Sequence, residues 1–295
     1  MTAPKRKLSA TALSTFLDSP KKYYWQYVAN LTPILPQVAN YDHDIVFGRL
    51  WAEFTDRFYK GVSEAENTAQ TMTAWLTDTE GWVPEKAREK LTKGLETLMP
   101  NYYQTFSPTD GCRAQHDSLC SFGQRELPCD CKGPLSELWM ENDRFVAKLD
   151  GLSEDRIVHE VKSTSRAQSV SEQLWKVQHS LQVKLYTVLA QANGSCIEFA
   201  YKDPPYTLFR GPVEHVSNDQ RDTWELELNA LADKIYALGE DPNNFPCHPD
   251  GCCLTTRFST SMCRYQVLCD QGMNENSMIF YKTRESQQDK QKGKR

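Results

Sequence analysis

Residues 145–164 read FVAKLDGLSEDRIVHEVKST, and they give the strongest indication of the fold. Two runs rich in β-branched and apolar residues, Phe145–Leu152 and Arg156–Lys162, flank the turn-like pair Glu154-Asp155. Such spacing predicts two consecutive strands joined by a tight turn. Leu135–Met140 has the same character, so the three runs together predict an antiparallel meander.

Three charged side chains on these predicted strands indicate a metal site. Asp150 lies near the end of one strand and Glu160-Val161-Lys162 lies on the next. Side chains alternate between the faces of a strand, so Glu160 and Lys162 share one side while Val161 points to the other. Neighbouring carboxylates repel unless a cation lies between them, and oxygen ligands with room for water suit Mg²⁺ or Mn²⁺.

Such a metal ion would lower the pKa of a bound water and stabilise the charge that builds on a phosphodiester, with Lys162 orienting the water or the phosphate. The same three residues could instead form an exposed ion pair of little energetic consequence. Val158 and Val161 give the strand a buried character, however. A charged residue on a buried strand is expensive unless it serves a site, which favours the metal interpretation.

Outward from this core, the pattern predicts an α/β fold. Helical periodicity recurs from Leu8 to Phe106, and a long helix over Val170–Ala192 precedes strands at Ser195–Tyr201 and Tyr206–Gly211. This order predicts a mixed β-sheet core flanked by helices. We predict a helical N-terminal part (1–106), a Cys-rich insertion loop (107–134), a core (135–240), a Cys-bearing closing segment (241–272) and a polar basic tail expected to be disordered (273–295).

Bulk composition excludes several classes of protein. The chain has 295 residues, 39% of them hydrophobic, and no apolar run near the roughly 20 residues that a membrane span requires. No secretory segment is visible, so we expect a cytoplasmic protein without membrane partners. The formal net charge of −5 does not indicate a nucleic-acid-binding protein. Any groove for DNA must therefore be formed by a local cluster of basic residues.

Ten cysteines are more than a chain in a reducing compartment needs for packing, so metal or cluster ligation becomes a live alternative. One group lies in the insertion loop, where Cys112, His116, Cys120, Cys129 and Cys131 match no standard zinc spacing, and a chance cluster is favoured over a zinc knot. The other group lies near the C-terminus and consists of Cys247, Cys252, Cys253, Cys263 and Cys269.

Four motifs give the chain a family resemblance. They are Leu8–Leu13 with Ser19–Tyr23, then Phe47-Gly48-Arg49-Leu50, then Asp150-Gly151 with Glu160–Thr164, and finally Gln182–Tyr186. Through them the chain resembles the PD-(D/E)xK nuclease superfamily, and within it the RecB-like branch of phage-type and CRISPR-associated exonucleases. The resemblance implies a restriction-endonuclease-like fold and a metal-dependent DNA exonuclease acting in repair, recombination or phage DNA processing.

The resemblance also implies roles for particular residues. Gln182 and Tyr186 are four residues apart and hence neighbours on one helix face, and in the family such a pair lines the site. The metal ligands would be Asp150, Glu160 and the carbonyl of Val161. We expect a DNA channel with basic residues such as Lys148, Lys162, Arg166, Lys176 and Lys184, and a helicase or recombination protein is an expected partner.

Two departures from the family pattern keep alternatives open. The family usually has a metal-binding His four residues after the glycine that is Gly48 here, and this chain has Ala52. Either Glu53 or His43 substitutes, or the other ligands suffice with more water, or catalysis is weakened and the protein is a DNA-binding or scaffold relative. Family members often hold a [4Fe–4S] cluster, but Ser19 replaces the first cysteine, so the C-terminal cysteines could bind a cluster, Zn²⁺ or nothing.

Overall fold

The computed structural model divides the chain into two compact units, one formed by Asp42–Leu228 and the other by Met1–Tyr41 with Asn229–Arg295. None of the described helices combines the length and the apolar character needed to cross a lipid bilayer. The structure describes residues 6–33, 43–81, 83–106, 135–153, 155–165, 169–247 and 265–283.

The unit that contains both chain ends begins with two short helices. Helix α1 spans Ala10–Asp18, and its N-terminus is capped by Ser9, whose side chain accepts a hydrogen bond from the amide of Ala12 at 3.2 Å. Helix α2 spans Pro20–Tyr23 and continues into a π-helical turn. This turn covers Tyr24–Val28.

The same unit contains a small sheet that the sequence did not predict. Strand β1 (Leu31–Pro33) pairs antiparallel with β8 (Tyr281–Thr283), and this pairing joins residues about 250 positions apart in a sequence that offers no local signal for it. Part of the predicted tail therefore forms β8. Helices α9 (Gln266–Gln271) and α10 (Glu275–Met278) precede that strand.

Three helices form the layer at the start of the other unit, as the helical periodicity predicts. They are α3 (His43–Tyr59), α4 (Glu64–Thr79) and α5 (Glu85–Thr105). Their apolar stripes meet in an aromatic cluster whose rings pack mostly edge to face, and its buried members include Phe47, Trp51, Phe54, Phe58, Trp75 and Tyr102.

A six-stranded mixed sheet forms the centre of this unit. Its strands are β2 (Leu135–Glu141), β3 (Val146–Leu152), β4 (Ile157–Thr164), β5 (Gly194–Tyr201), β6 (Leu208–Arg210) and β7 (Glu214–His215). Strands β2, β3 and β4 form the predicted antiparallel meander. Strand β5 runs parallel to β4, and both β6 and β7 pair antiparallel with β5.

The connection between β4 and β5 is helical, but it is not the single helix that we predicted over Val170–Ala192. It consists of α6 (Val170–Gln178) and α7 (Leu181–Leu189). The break lies at Ser180, whose hydroxyl accepts a hydrogen bond from the amide of Val183 at 3.3 Å and so starts a new helix. The apolar periodicity continues through this break and conceals it.

The two faces of the sheet pack against different helices. On the first face, here called the α7 face, Ile197, Phe199 and Tyr201 of β5 pack with Val183 of α7. On the opposite face, the α3 face, Ala200 of β5 packs in the aromatic cluster of α3, α4 and α5, and Val161 of β4 packs against that cluster. Helices therefore cover both faces of a mixed sheet, as the sequence predicts. Helix α8 (Asn218–Ala237) follows the last strand.

Candidate active site

Strand β4 places Glu160 and Lys162 on the α7 face. The parallel register pairs Glu160 with Ile197 and Lys162 with Phe199, and paired residues in neighbouring strands point to the same face. Val161, between them, packs on the α3 face. The predicted division of this strand, with the charged pair on one side and Val161 in the core on the other, is what the structure shows.

Asp150 approaches these residues from strand β3. The two strands pair at Gly151–His159 and Leu152–Val158. Beyond that point the Oδ2 atom of Asp150 accepts a hydrogen bond from the amide of Val161 at 2.9 Å. The amide and carbonyl of one residue point to the same edge of a strand, so the carbonyl of Val161 faces the edge on which Asp150 lies.

Helix α7 completes the constellation with two side chains one turn apart. Gln182 donates a hydrogen bond from Nε2 to Oε1 of Glu160 at 2.8 Å and accepts one at its own Oε1 from Nζ of Lys162 at 2.9 Å. The same Nε2 also donates to the hydroxyl of Tyr186 at 2.9 Å. Lys162 forms an ion pair with Oε1 of Glu160. The structure therefore brings together all five residues predicted as catalytic.

The buried carboxyl of Glu160 has fewer stabilising partners than a charged carboxylate needs. The side chain is 1% exposed, and its Oε2 atom has no hydrogen-bond partner among the described residues. Burial, and then the neighbouring Asp150, raise the pKa of Glu160 to about 8 against the lowering effects of Lys162 and Gln182. At neutral pH the protonated form of Glu160 therefore predominates, and one more positive group beside it would favour the carboxylate form.

The two neighbours on this network respond to the same charges. Burial lowers the pKa of Lys162, but the carboxylate of Glu160 outweighs that effect and the pKa is raised overall. Burial, followed by the charge of Glu160, raises the pKa of Tyr186 as well. Lys162 is therefore a cation and Tyr186 a neutral hydroxyl at neutral pH.

Gly48 explains how α3 reaches the central strand. A Cβ atom added to Gly48 would lie 3.2 Å from Oγ of Ser163, closer than most real Cβ contacts. Ser163 follows Lys162 directly in β4, so the glycine lets the helix pack close beside the site strand. This gives a packing reason for the Phe47-Gly48-Arg49-Leu50 motif.

The other proposed metal ligands of α3 have different partners. The carboxylate of Glu53 lies 3.3 Å from Nη1 of Arg49, one turn back on its own helix. His43 lies 3.7 Å from the carboxylate of Asp44. Across the described ranges, no three His, Cys, Asp or Glu side chains converge as a metal site. Glu53 as a ligand therefore stays a prediction without a supporting contact.

The cysteine predictions fall mostly beyond what the structure describes. Cys247 is exposed and Cys269 is half-buried. Cys252, Cys253 and Cys263 lie outside the described residues, as do the five Cys and His residues of the insertion loop and Arg166. The [4Fe–4S] or Zn²⁺ site accordingly stays a prediction.

Sequence reasoning missed a second buried carboxylate, Glu198 of β5, on the α3 face. Its oxygens accept hydrogen bonds from Tyr102 at 2.8 Å and Tyr59 at 3.2 Å, and Nη2 of Arg210 lies 2.9 Å away. His159 is 3.8 Å from the same carboxylate, longer than a hydrogen bond. A charged residue within the apolar run of β5 was the available signal.

Comparison with known families shows the superfamily of the chain. The family model of the PD-(D/E)XK nuclease superfamily matches residues 7–270. The chain belongs to this superfamily. No curated protein matches the chain in a sequence search.

Membership of the PD-(D/E)XK nuclease superfamily confirms two predictions, the superfamily itself and the restriction-endonuclease-like fold. It indicates a nuclease, an enzyme that acts on nucleic acid. Membership of the RecB-like branch stays a prediction, because the match extends to the superfamily as a whole.

The residues of this PD-(D/E)XK nuclease fit a divalent metal ion by their own chemistry. Two carboxylates on one face, one of them with a buried oxygen that lacks a partner, repel each other unless a cation is near. Carboxylate and carbonyl oxygens are the ligands that Mg²⁺ accepts, and this ion usually keeps several waters. Asp150, Glu160 and the Val161 carbonyl form such a set.

Proposed function

We propose that this protein is a Mg²⁺- or Mn²⁺-dependent deoxyribonuclease of the RecB-like branch that digests DNA as an exonuclease. The observation that carries the proposal is the buried Oε2 of Glu160, without a partner among the described residues, beside Asp150 and on the same strand as Lys162. That combination is typical of an arrangement built for a cation and an anionic substrate.

The ligands of the metal would be Asp150, Glu160 and the carbonyl of Val161, with water completing the shell. When bound, a divalent metal ion lowers the pKa of a coordinated water and offsets charge on the phosphodiester that is cleaved. Asp150 is held for this role, because the amide of Val161 donates to its Oδ2 atom.

Lys162 supplies a fixed positive charge on the substrate side of the network. Its ammonium is partly exposed and is anchored by Glu160 and by Oε1 of Gln182. A positive group aimed at developing negative charge contributes to catalysis because it needs no reorganisation during the reaction. Lys162 would therefore orient the phosphate and stabilise the charge that builds on it.

Gln182 and Tyr186 would act as positioning residues. The amide of Gln182 bridges the carboxylate of Glu160 and the ammonium of Lys162, and this requires its Nε2 to face Glu160. The hydroxyl of Tyr186 accepts a second hydrogen bond from the same Nε2 and so fixes the amide in that orientation. Both side chains would also guide the DNA strand.

The biological setting rests on the family resemblance. We propose a role in DNA repair, recombination or phage DNA processing, with a helicase or a recombination protein as partner. End-directed degradation of DNA, the activity proposed for the site, would serve each of these roles.

Digestion of labelled DNA tests the proposal. Wild-type protein should degrade a linear substrate with Mg²⁺ or Mn²⁺ and not with EDTA, and Lys162→Ala should lower the rate by roughly 10²- to 10³-fold, the usual effect of removing one charge-stabilising group. Lys60→Ala is the matched control, because Lys60 forms an exposed ion pair with Asp56 at 2.6 Å. Equal digestion by wild type and Lys162→Ala would count against the assigned site.

One observation favours a second candidate, a DNA-binding or scaffold protein with weakened catalysis. Position 52 holds Ala where the family pattern usually has a metal-binding His, and neighbouring Glu53 pairs with Arg49. DNA binding by the wild-type protein without cleavage in either metal would support this candidate over the nuclease.

A further inference from the structure

Trp139 is a large aromatic residue on the surface of the sheet. It lies in β2, the strand at one end of the described sheet, and its side chain is 45% exposed. A single exposed apolar residue is ordinary on a protein surface and carries no conclusion by itself. The position of Trp139 relative to the site is what gives it significance.

The strand register places Trp139 beside Asp150. Trp139 pairs with Lys148 in the antiparallel β2–β3 ladder, so both side chains point to the same face. Lys148 and Asp150 are two residues apart in β3 and share that face too. Diagonal neighbours of this kind are about 7–8 Å apart between Cα atoms, within reach of an aromatic side chain.

This part of the α7 face is open to solvent, whereas the opposite face of the same strand is buried. Lys148 is exposed, and its neighbours Ala147 and Leu149 are buried on the α3 face. The register thus places an indole and an ammonium at paired positions on one exposed face, diagonal to and in line with Asp150. Trp139 offers an aromatic plane and Lys148 a positive charge, and both lie close to the site proposed to bind a phosphodiester.

We propose that Trp139 is a stacking platform for an unpaired nucleobase of the strand that enters the site, with Lys148 contacting its phosphate. The inference rests on the proposed nuclease function and names its substrate class. Stacking on an aromatic plane needs a base whose face is uncovered, and a base inside a duplex has both faces covered. The platform therefore selects single-stranded DNA or a frayed duplex end.

The chain offers a matched control in Trp175 of α6. This tryptophan is 61% exposed, and its ring stacks on His179 of the same helical segment with centroids 4.7 Å apart. It thus has a similar size and surface exposure but already has an aromatic partner. Replacing it removes the same side chain without removing the platform.

Binding of single-stranded oligonucleotides distinguishes stacking from charge. Fluorescence anisotropy would compare a labelled oligo-dT with an abasic oligonucleotide of the same length, which keeps the phosphates but has no bases. The proteins are wild type, Trp139→Ala, Trp139→Phe and Trp175→Ala. Ca²⁺ replaces Mg²⁺ in one series, and EDTA is used in another.

We expect Trp139→Ala to bind oligo-dT about 5- to 100-fold more weakly than wild type, the range for loss of one stacked base. Trp139→Phe should recover most of the affinity because it restores an aromatic plane, and Trp175→Ala should bind as wild type. On the abasic oligonucleotide all four proteins should bind alike.

Two results would overturn the platform alone. One is unchanged oligo-dT affinity in Trp139→Ala, and the other is an equal loss on both oligonucleotides, which would point to a structural or electrostatic effect. If the wild-type protein binds neither oligonucleotide, the platform falls, whereas the proposed nuclease function is decided separately by digestion of linear duplex DNA with Mg²⁺ or Mn²⁺.

Discussion

Two buried carboxylates lie on adjacent strands of the same sheet and have opposite surroundings. Glu160 of β4 lies on the α7 face and Glu198 of β5 on the α3 face, and both are almost fully buried. Burial by itself favours the neutral acid in each case. The partners around each carboxylate therefore decide the outcome.

Glu198 has a complete set of partners. Arg210 donates to it from Nε at 3.0 Å, and Tyr59 and Tyr102 donate their hydroxyls. Burial raises the pKa of this carboxyl, but His159, Arg210 and Tyr102 together outweigh burial and hold the pKa below its usual value. A buried charge that is fully paired in this way serves the structure.

Glu160 has an incomplete set. A second carboxylate is its neighbour, one of its oxygens lacks a partner among the described residues, and its pKa is raised to about 8. The contrast teaches that burial of a charged residue does not identify a functional site. A functional site is indicated instead by a buried carboxylate that has too few hydrogen-bond donors and cations around it within the protein. A bound cation would then supply the missing positive charge.

Removing the cationic partner of each carboxylate should destabilise the protein to very different extents. Arg210→Ala should lower the free energy of unfolding by about 3–5 kcal/mol, because it leaves a buried charge without its cation. Lys162→Ala should lower the free energy of unfolding by about 1 kcal/mol or less near pH 6, because this pH lies below the pKa of Glu160 and the carboxyl stays protonated. Urea denaturation of metal-free protein measures both values.

The exposed pair of Lys60 with Asp56 provides the reference, and Lys60→Ala should change stability by less than about 0.5 kcal/mol. Equal destabilisation by the Arg210 and Lys162 variants would mean that both carboxylates are charged structural groups, and the distinction between the two faces would be lost.

The pH dependence of stability should also differ between Glu160 and Glu198. The folded pKa of Glu160 is raised, so in metal-free protein its contribution is fully present below the unfolded pKa and is lost as pH rises toward about 8. From about pH 5.5 to about pH 7.5, wild type should lose about 2–3 kcal/mol relative to Glu160→Gln, at roughly 1.4 kcal/mol per pH unit.

Glu198 has the opposite sign. Its folded pKa is lowered, so its contribution is present above the unfolded pKa and is lost only as pH falls through the folded value. Over the same neutral range, wild type and Glu198→Gln should therefore differ by a constant amount. A parallel pH profile for wild type and Glu160→Gln would contradict the raised pKa of Glu160.

Local patterns made much of the site predictable. Strand alternation placed Glu160 and Lys162 on one face with Val161 opposite, and a spacing of four placed Gln182 and Tyr186 on one side of a helix. The meander and the helical layer follow from periodicities of two and 3.6 residues, which depend only on neighbours in sequence.

Features that depend on distant partners were not predictable in this way. The hydrogen-bond network of Glu198 joins residues from α3, α5, β5 and β6. The hydrogen-bond donors to its carboxylate are far apart in the sequence. The β1–β8 pair joins segments about 250 residues apart in the sequence. The break at Ser180 was not predicted for a different reason. The apolar pattern continues across it, and the local cause of the break is the Ser180 hydroxyl, which caps the next helix.

Binding of Mn²⁺ to the metal-free protein, measured by calorimetry near pH 7.5, would show directly whether Asp150 and Glu160 hold a metal ion. We expect a Mn²⁺ site that is lost in Asp150→Asn and Glu160→Gln and kept in Glu198→Gln. We also expect proton release on binding to wild type, because the ion displaces the proton that Glu160 holds below its pKa of about 8. Mn²⁺ binding to Glu160→Gln with the affinity of wild type would show that Glu160 is not a metal ligand.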